Sequence, residues 1–257
     1  MSPTLAPFPW RRCCGCFLLL ALGIVACSPG ACAQDIASRW FSPDTVPLEV
    51  TKFGPYALDA DNNLLMVDQN ILMSSADDGK TWTALSGPIA PGMKLGTAGH
   101  VGHFIRTAKG ALVIAFLDMD NYVFKWDDAA NKPLPECKLE LQVIRSTDGG
   151  KTWVDQQCLL PGYNADFMGF IQTHTGRLVI TAEHLDPETA RWFVCSFVSD
   201  DEGASWRRGN WIDLGGHGHH DGAVEPTVAE LGDGRLLMLI RTSLDRVWSA
   251  LSENDGL

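Results

Sequence analysis

The sequence predicts an all-β chain built from radially repeated blades, a β-propeller, with about four blades within its 257 residues. Three observations carry that prediction. The pattern S-x-D-x-G-x-[T/S]-W occurs as Ser75–Trp82, Ser146–Trp153 and Ser199–Trp206, and begins again at Ser252, Asn254 and Gly256. Its copies start roughly 50 to 70 residues apart, close to the length of one blade. Each copy is also preceded by the same plan, a strand, a glycine turn and an apolar strand.

The first element is a targeting segment. Arg11 and Arg12 precede the apolar run Phe17–Ala26, which is short for a membrane span and is followed by small residues, so residues 1–33 read as a signal peptide. Two cleavage sites compete. Ile24-Val-Ala-Cys27 has the form of a bacterial lipobox, which makes Cys27 a lipidation candidate, while Ala31-Cys-Ala33 offers ordinary cleavage before Gln34. Both outcomes give an exported protein: periplasmic, anchored to the outer membrane by lipid alone, or extracellular. Residues 34–49 then read as a linker, and residues 50–257 as a partial propeller.

Within the propeller the repeated strand pairs are Phe104–Phe116 around Gly110, Phe170–Ala182 around Gly176 and Pro226–Ile240 around Gly234, with a weaker version at Tyr56–Met66. A variable loop follows each pair and leads to a third strand, such as Leu141–Arg145, that enters the repeated pattern. The pattern has the chemistry of a tight turn: Asp accepts backbone N–H groups a few residues on, and Gly takes a positive φ. Thr or Ser re-enters a strand, and Trp packs between neighbouring sheets.

Composition narrows the function. Against 20 Lys and Arg stand 31 Asp and Glu, a net charge of −11, which argues against nucleic acid as a partner. Five of the eight cysteines lie in or beside the leader, leaving Cys137, Cys158 and Cys195. These three show neither C-x-x-C nor Cys/His ligand spacing, so no structural metal site is expected. Cys137 and Cys158 flank the second repeat and are disulfide candidates in an oxidising compartment, whereas Cys195 reads as a small buried strand residue.

The repeats are similar to the Asp boxes of the sialidase (neuraminidase)-like BNR-repeat propellers, and from about residue 50 the chain resembles that family. The resemblance implies six blades in a complete protein, so that this chain is a piece of a longer one. An arc of four blades would leave an uncovered apolar face at each end. It also implies that Asp77, Asp148 and Asp201 are structural and lie away from the catalytic mouth.

The segment Glu225–Arg241 carries the most specific catalytic resemblance. In sialidases a Glu opening such a strand activates a Tyr nucleophile from a later blade, and an Arg at its far end joins a triad that clamps the substrate carboxylate. The chemistry is coherent, since a carboxylate takes a phenolic proton and guanidinium binds carboxylate through paired charged hydrogen bonds. By residue type alone, Glu225 can equally cap a turn and Arg241 pair with a surface acid. The resemblance puts the Tyr and the third Arg after Leu257, and an acid/base Asp between Phe116 and Leu141, where Asp118, Asp120, Asp127 and Asp128 are candidates.

The family's Arg-Ile-Pro phrase is absent, and His100 stands where its Arg is expected. His100, with His103, His184, His217, His219 and His220 near expected strand ends, supports an alternative. A neutral imidazole can abstract a proton beside a uronate carboxylate, as in propeller polysaccharide lyases, and some propeller rhamnosidases use related chemistry. His103, His219 and His220 are substrate-binding candidates in either case. A third alternative is a noncatalytic glycan-binding propeller, because the repeats specify blades and not a reaction. The expectation carried forward is an exo-α-sialidase-type glycoside hydrolase acting on terminal acidic sugars of a glycan, with no cofactor.

Overall fold

The computed structural model describes residues 49–92, 95, 102–167, 169–216, 221–244 and 246–257. The leader with Cys27, most of the linker, His100, His217, His219 and His220 lie outside the described residues.

Sheet 1 consists of β1 (Tyr56–Leu58), β2 (Leu64–Asp68), β3 (Ile71–Ser75) and β4 (Thr83–Pro88), paired in that order. Sheet 2 begins with β5 (His103–Arg106) and β6 (Leu112–Leu117). A short hairpin, β7 (Trp126–Asp127) and β8 (Lys132–Pro133), is inserted before β9 (Leu141–Ser146) and β10 (Val154–Leu160) complete the sheet. Sheet 3 contains β11 (Gly169–Gln172), β12 (Leu178–Asp186), β13 (Arg191–Ser199) and β14 (Arg207–Arg208), with β15 (Ile212–Asp213) also pairing with β13. Sheet 4 contains β16 (Ala223–Glu230), β17 (Leu236–Thr242) and β18 (Trp248–Ser252). The first strands β1, β5, β11 and β16 lie side by side in that order, each sheet running outward from them, which is the radial plan of a propeller. The inserted hairpin and β15 were not anticipated; the hairpin accounts for the longer interval between the first two repeats.

The core lies between blades. Strand β6 is buried at every position because alternate side chains serve two neighbours. Leu112, Ile114 and Phe116 pack with Leu65, Val67 and Leu72 of sheet 1, while Val113, Ala115 and Leu117 join Leu178, Ile180 and Ala182 of sheet 3. An apolar strand without alternation is thus the signature of a blade covered on both faces. Strand β12 follows the same rule: Leu178, Ile180 and Ala182 face sheet 2, and Val179 faces sheet 4. Thr181 and Glu183 share the phase of Val179.

The repeats form as expected. In the first, Ser75 Oγ donates to Asp77 Oδ1 (2.8 Å) and accepts from Gly79 N (2.9 Å), while Thr81 donates through N to Oδ1 (2.8 Å) and through Oγ1 to Oδ2 (2.7 Å). The second and third copies repeat this set around Asp148 and Asp201, and Ser252 with Asn254 and Gly256 repeats its first half. These bonds, the Thr81 and Thr152 backbone N–H groups foremost, hold the carboxyls of Asp77 and Asp148 down to about 2 from the usual 3.8. A depressed carboxyl stabilises the fold above its unfolded value and loses that contribution as pH falls through the folded one. Wild-type stability is therefore expected to drop between about pH 4 and pH 2, and Asp77→Asn to flatten that drop in acid titrations followed by circular dichroism.

The glycines of the second, third and fourth boxes, Gly150, Gly203 and Gly256, also meet the preceding blade. Gly150, at φ 88°, would place a Cβ 2.2 Å from Leu72 Cδ2, and Leu72 is fully buried. Gly149, at φ 75°, has open space around the same point, and the other boxes hold Asp78, Glu202 and Asp255 at its position. Gly150→Ala is expected to cost more than about 2 kcal/mol, backbone strain and overpacking together. Gly149→Ala should cost only the backbone part, about 1 kcal/mol. Urea unfolding of the two variants separates the effects, and equal costs would contradict the inter-blade packing.

The expected Cys137–Cys158 bridge is not formed; both thiols are free. Cys137 Sγ is occupied by the Lys125 backbone, accepting from its N–H (3.2 Å) and donating to its carbonyl (3.0 Å), beside the inserted hairpin. Cys158 sits on the outer strand β10 opposite Gln142. Cys195 is buried, as expected.

Candidate active site

The site is organised by an irregularity in β16. Val224 pairs with Arg241 and Thr227 with Leu239, so Glu225 and Pro226 together oppose Ile240 in a β-bulge. Glu225 adopts φ 47°, a left-handed conformation unusual for a residue other than Gly, Asn or Asp. The bulge brings its carboxylate to Arg241 of the neighbouring strand, and Arg241 Nη1 donates to Glu225 Oε1. Two residues that the sequence singled out separately are therefore brought together, each serving as the other's partner.

Behind the bulge lies a carboxyl that the sequence reading missed. Glu183 on β12 is 3% exposed, and its Oε2 accepts the Glu225 backbone N–H. Burial is the main cause that raises its carboxyl to about 8; the bond from Glu225 N opposes the rise, and the charges of Asp166 and Glu225 add to it. At neutral pH Glu183 is mostly protonated, so the site holds a neutral carboxylic acid beside a carboxylate and a guanidinium.

These groups line a pocket of about 320 Å³. Asp166 and Asp221 add two further acids to its wall. Phe124, Tyr163 and Trp192 supply the aromatic side, with Tyr163 4.9 Å from Phe124 and 6.0 Å from Trp192 between ring centroids. Burial pushes the Tyr163 hydroxyl well above its ordinary value, which makes it a poor phenolate. An apolar wall with a few converging charged groups is the general form of a small-ligand site. Among the described residues no three His, Cys, Asp or Glu side chains come together as metal ligands.

The remaining candidates lie elsewhere. Asp118 is buried at the end of β6, where its Oδ2 accepts from Asn121 Nδ2 (2.7 Å) and its Oδ1 has no partner among the described residues. Asp120 follows on the 3₁₀ turn Met119–Asn121, and Asp127 caps the hairpin turn by accepting from the N–H groups of Ala129 and Ala130 (3.0 Å each). None of these, nor Asp128, lines the pocket. His103 opens β5 with Nε2 donating to the Phe167 carbonyl (3.2 Å), and burial lowers its pKa and keeps the ring neutral. His184 has the opposite phase to Glu183 on β12, and its Nδ1 donates to Oδ1 of the buried Asn164 (2.8 Å).

Comparison with known proteins agrees with this architecture. Residues 129–257 match the BNR repeat-like domain. A protein of unknown function from Dyadobacter fermentans superposes with a TM-score of 0.54 at 19% identity, covering 78% of this chain and 65% of that one. An α-L-arabinofuranosidase from Fusarium graminearum gives a TM-score of 0.47 at 14% identity, covering 78% of this chain and 62% of that one. The NanB sialidase of Streptococcus pneumoniae gives 0.49 at 12%, covering 87% and 54%. The chain thus spans less than two thirds of the length of each, and no curated protein matches it. With the Asp boxes formed in successive radial sheets and half of its residues matched, the chain belongs to the BNR repeat-like family and has the sialidase-like propeller fold.

Proposed function

We propose that this chain carries the Glu225 half of the active site of an exported glycoside hydrolase that removes terminal acidic sugars, of the sialic acid type, from glycans. The observation that supports this most is the Glu225–Arg241 pair, set on a strained bulge at the wall of an aromatic pocket whose buried acid, Glu183, is uncharged at neutral pH. A guanidinium with a largely exposed side chain offers a sugar carboxylate charged hydrogen bonds in a fixed plane. The neutral state of Glu183 removes one charge that would repel such a ligand.

In this reading Glu225 takes the proton of a phenol that attacks the anomeric carbon, and Arg241 holds the sugar carboxylate. Tyr163 is unsuited to be that phenol, so the nucleophile comes from outside this pocket wall. Asp166 and Asp221 are the pocket carboxyls able to serve the leaving-group oxygen. The site needs no cofactor for this chemistry.

The reading is tested by assaying the protein on a fluorogenic sialoside and, in parallel, on a uronate-containing polysaccharide monitored for unsaturated product. Fluorophore release that depends on Glu225 supports it. Unsaturated product that depends on His100, or inactivity on the sialoside with glycan binding retained, contradicts it.

A further inference from the structure

We propose that Glu183 is the positioning residue of this site: by accepting the Glu225 N–H it locks the β16 bulge in the conformation that aims the Glu225 carboxylate at Arg241. The role as part of an active site rests on the function proposed above; the lock itself does not.

A bulge takes backbone groups out of the ladder. Glu225 and Pro226 share a single opposite residue, so their backbone groups are released from the ladder with β17. Pro226 has no N–H, and the Glu225 N–H and the Pro226 carbonyl are among the groups that need partners inside the protein, where an unmet backbone group is costly. Both partners come from β12. Glu183 Oε2 takes the Glu225 N–H, and Thr181 Oγ1 donates to the Pro226 carbonyl at 2.5 Å. Thr181 is fully buried and Glu183 nearly so, and their two-residue spacing puts both on the face of β12 toward sheet 4. Two buried side chains thus meet two of the backbone groups at the bulge.

That fit explains how a left-handed Glu persists at position 225. Such a conformation costs about 1–3 kcal/mol and survives only where its surroundings over-determine it. The side chains facing Glu183 are Asp166 from the loop before β11, Glu225 from β16 and Arg241 from β17. An acceptor is what the bulge requires of position 183, not a charge. The neutral acid meets that need without adding a negative charge beside Glu225, and its ionisation in alkali adds one.

The test compares Glu183→Gln with Glu183→Leu in the full-length protein, with Thr181→Val as a milder third variant. Glutamine keeps an oxygen for the Glu225 N–H and is expected to keep kcat on the sialoside within about 3-fold of wild type near pH 6. Its KM should stay level above pH 8, where that of wild type rises as Glu183 ionises and repels an acidic substrate. Leucine leaves the N–H orphaned, and kcat is expected to fall about 100-fold, with Thr181→Val in between. Independently of activity, the Glu225 amide proton resonance should keep its hydrogen-bonded, downfield position in Glu183→Gln and move upfield in Glu183→Leu. An unmoved Glu225 amide in a folded Glu183→Leu overturns the proposal, as does a Glu183→Gln that loses as much kcat as Glu183→Leu. If no sialoside is cleaved but the amide behaves as described, the positioning role stands and the proposed function falls.

Discussion

Glu225→Gln is expected to lower kcat on a sialoside by about 10²- to 10⁴-fold, the range that a positioned proton acceptor contributes, with little change in KM. The amide keeps the shape of the side chain and the strained backbone at φ 47°, so the loss reports on the carboxylate and not on the bulge. Arg241→Ala is expected to act differently. It removes the sugar-binding guanidinium and deprives Glu225 of its ion-pair partner, so KM should rise by about 10- to 100-fold and kcat should also fall. Arg241→Lys restores the charge but not the planar pair of donors, and only part of the KM effect should be recovered. Initial-rate kinetics on the four proteins, wild type included, check the pattern. A KM effect confined to Glu225→Gln would exchange the two roles.

The second large effect is on stability. Burial holds the Glu183 carboxyl at about 8 in the folded protein, against 4.5 for an ordinary glutamate. Between those values the folded state binds a proton that the unfolded chain has released. The contribution is therefore fully present below about pH 4.5 and is lost as pH rises through 8. Unfolding free energy is expected to fall by an amount on the order of 3 kcal/mol from pH 5 to pH 8.5. Glu183→Gln, which has no proton to lose, should flatten this slope. Urea titrations at a series of pH values measure it, and an equal slope in both proteins would show that Glu183 is not the group responsible. The Asp boxes act in the opposite sense and only below about pH 4, so the two effects do not overlap.

What could be read from sequence divides by range. The Asp boxes were legible because every bond in them joins residues no more than four apart, so the turn is written in one short phrase. The blades were legible because apolar strands around a glycine recur in step with that phrase. Glu225 and Arg241 were legible through the resemblance of one segment to the family, whereas their pairing with each other comes from the hairpin register, which sets Arg241 beside the bulge. Glu183 was not, since a single acid inside the run Leu178–Leu185 has no local feature to mark it. Its meaning comes from a backbone N–H 42 residues away in the next blade. Asp166 and Tyr163 were missed for the same reason; they lie on the loop entering β11 and reach the pocket only when sheets 3 and 4 pack. The Cys137–Cys158 expectation failed in the other direction, because closeness along the chain to one repeat did not bring an outer strand and the segment after the hairpin into bonding geometry.

The pocket at the β16 bulge is expected to receive a sugar carboxylate. That expectation is tested most directly by titrating the isotope-labelled protein with N-acetylneuraminic acid and with the same sugar as its methyl ester, following the backbone amides of Glu225 and Arg241 and the guanidinium of Arg241. Saturable shifts at these groups with the free acid, abolished in the ester and in Arg241→Ala, are the expected result. Equal shifts with acid and ester, or shifts elsewhere while the bulge stays silent, would contradict it.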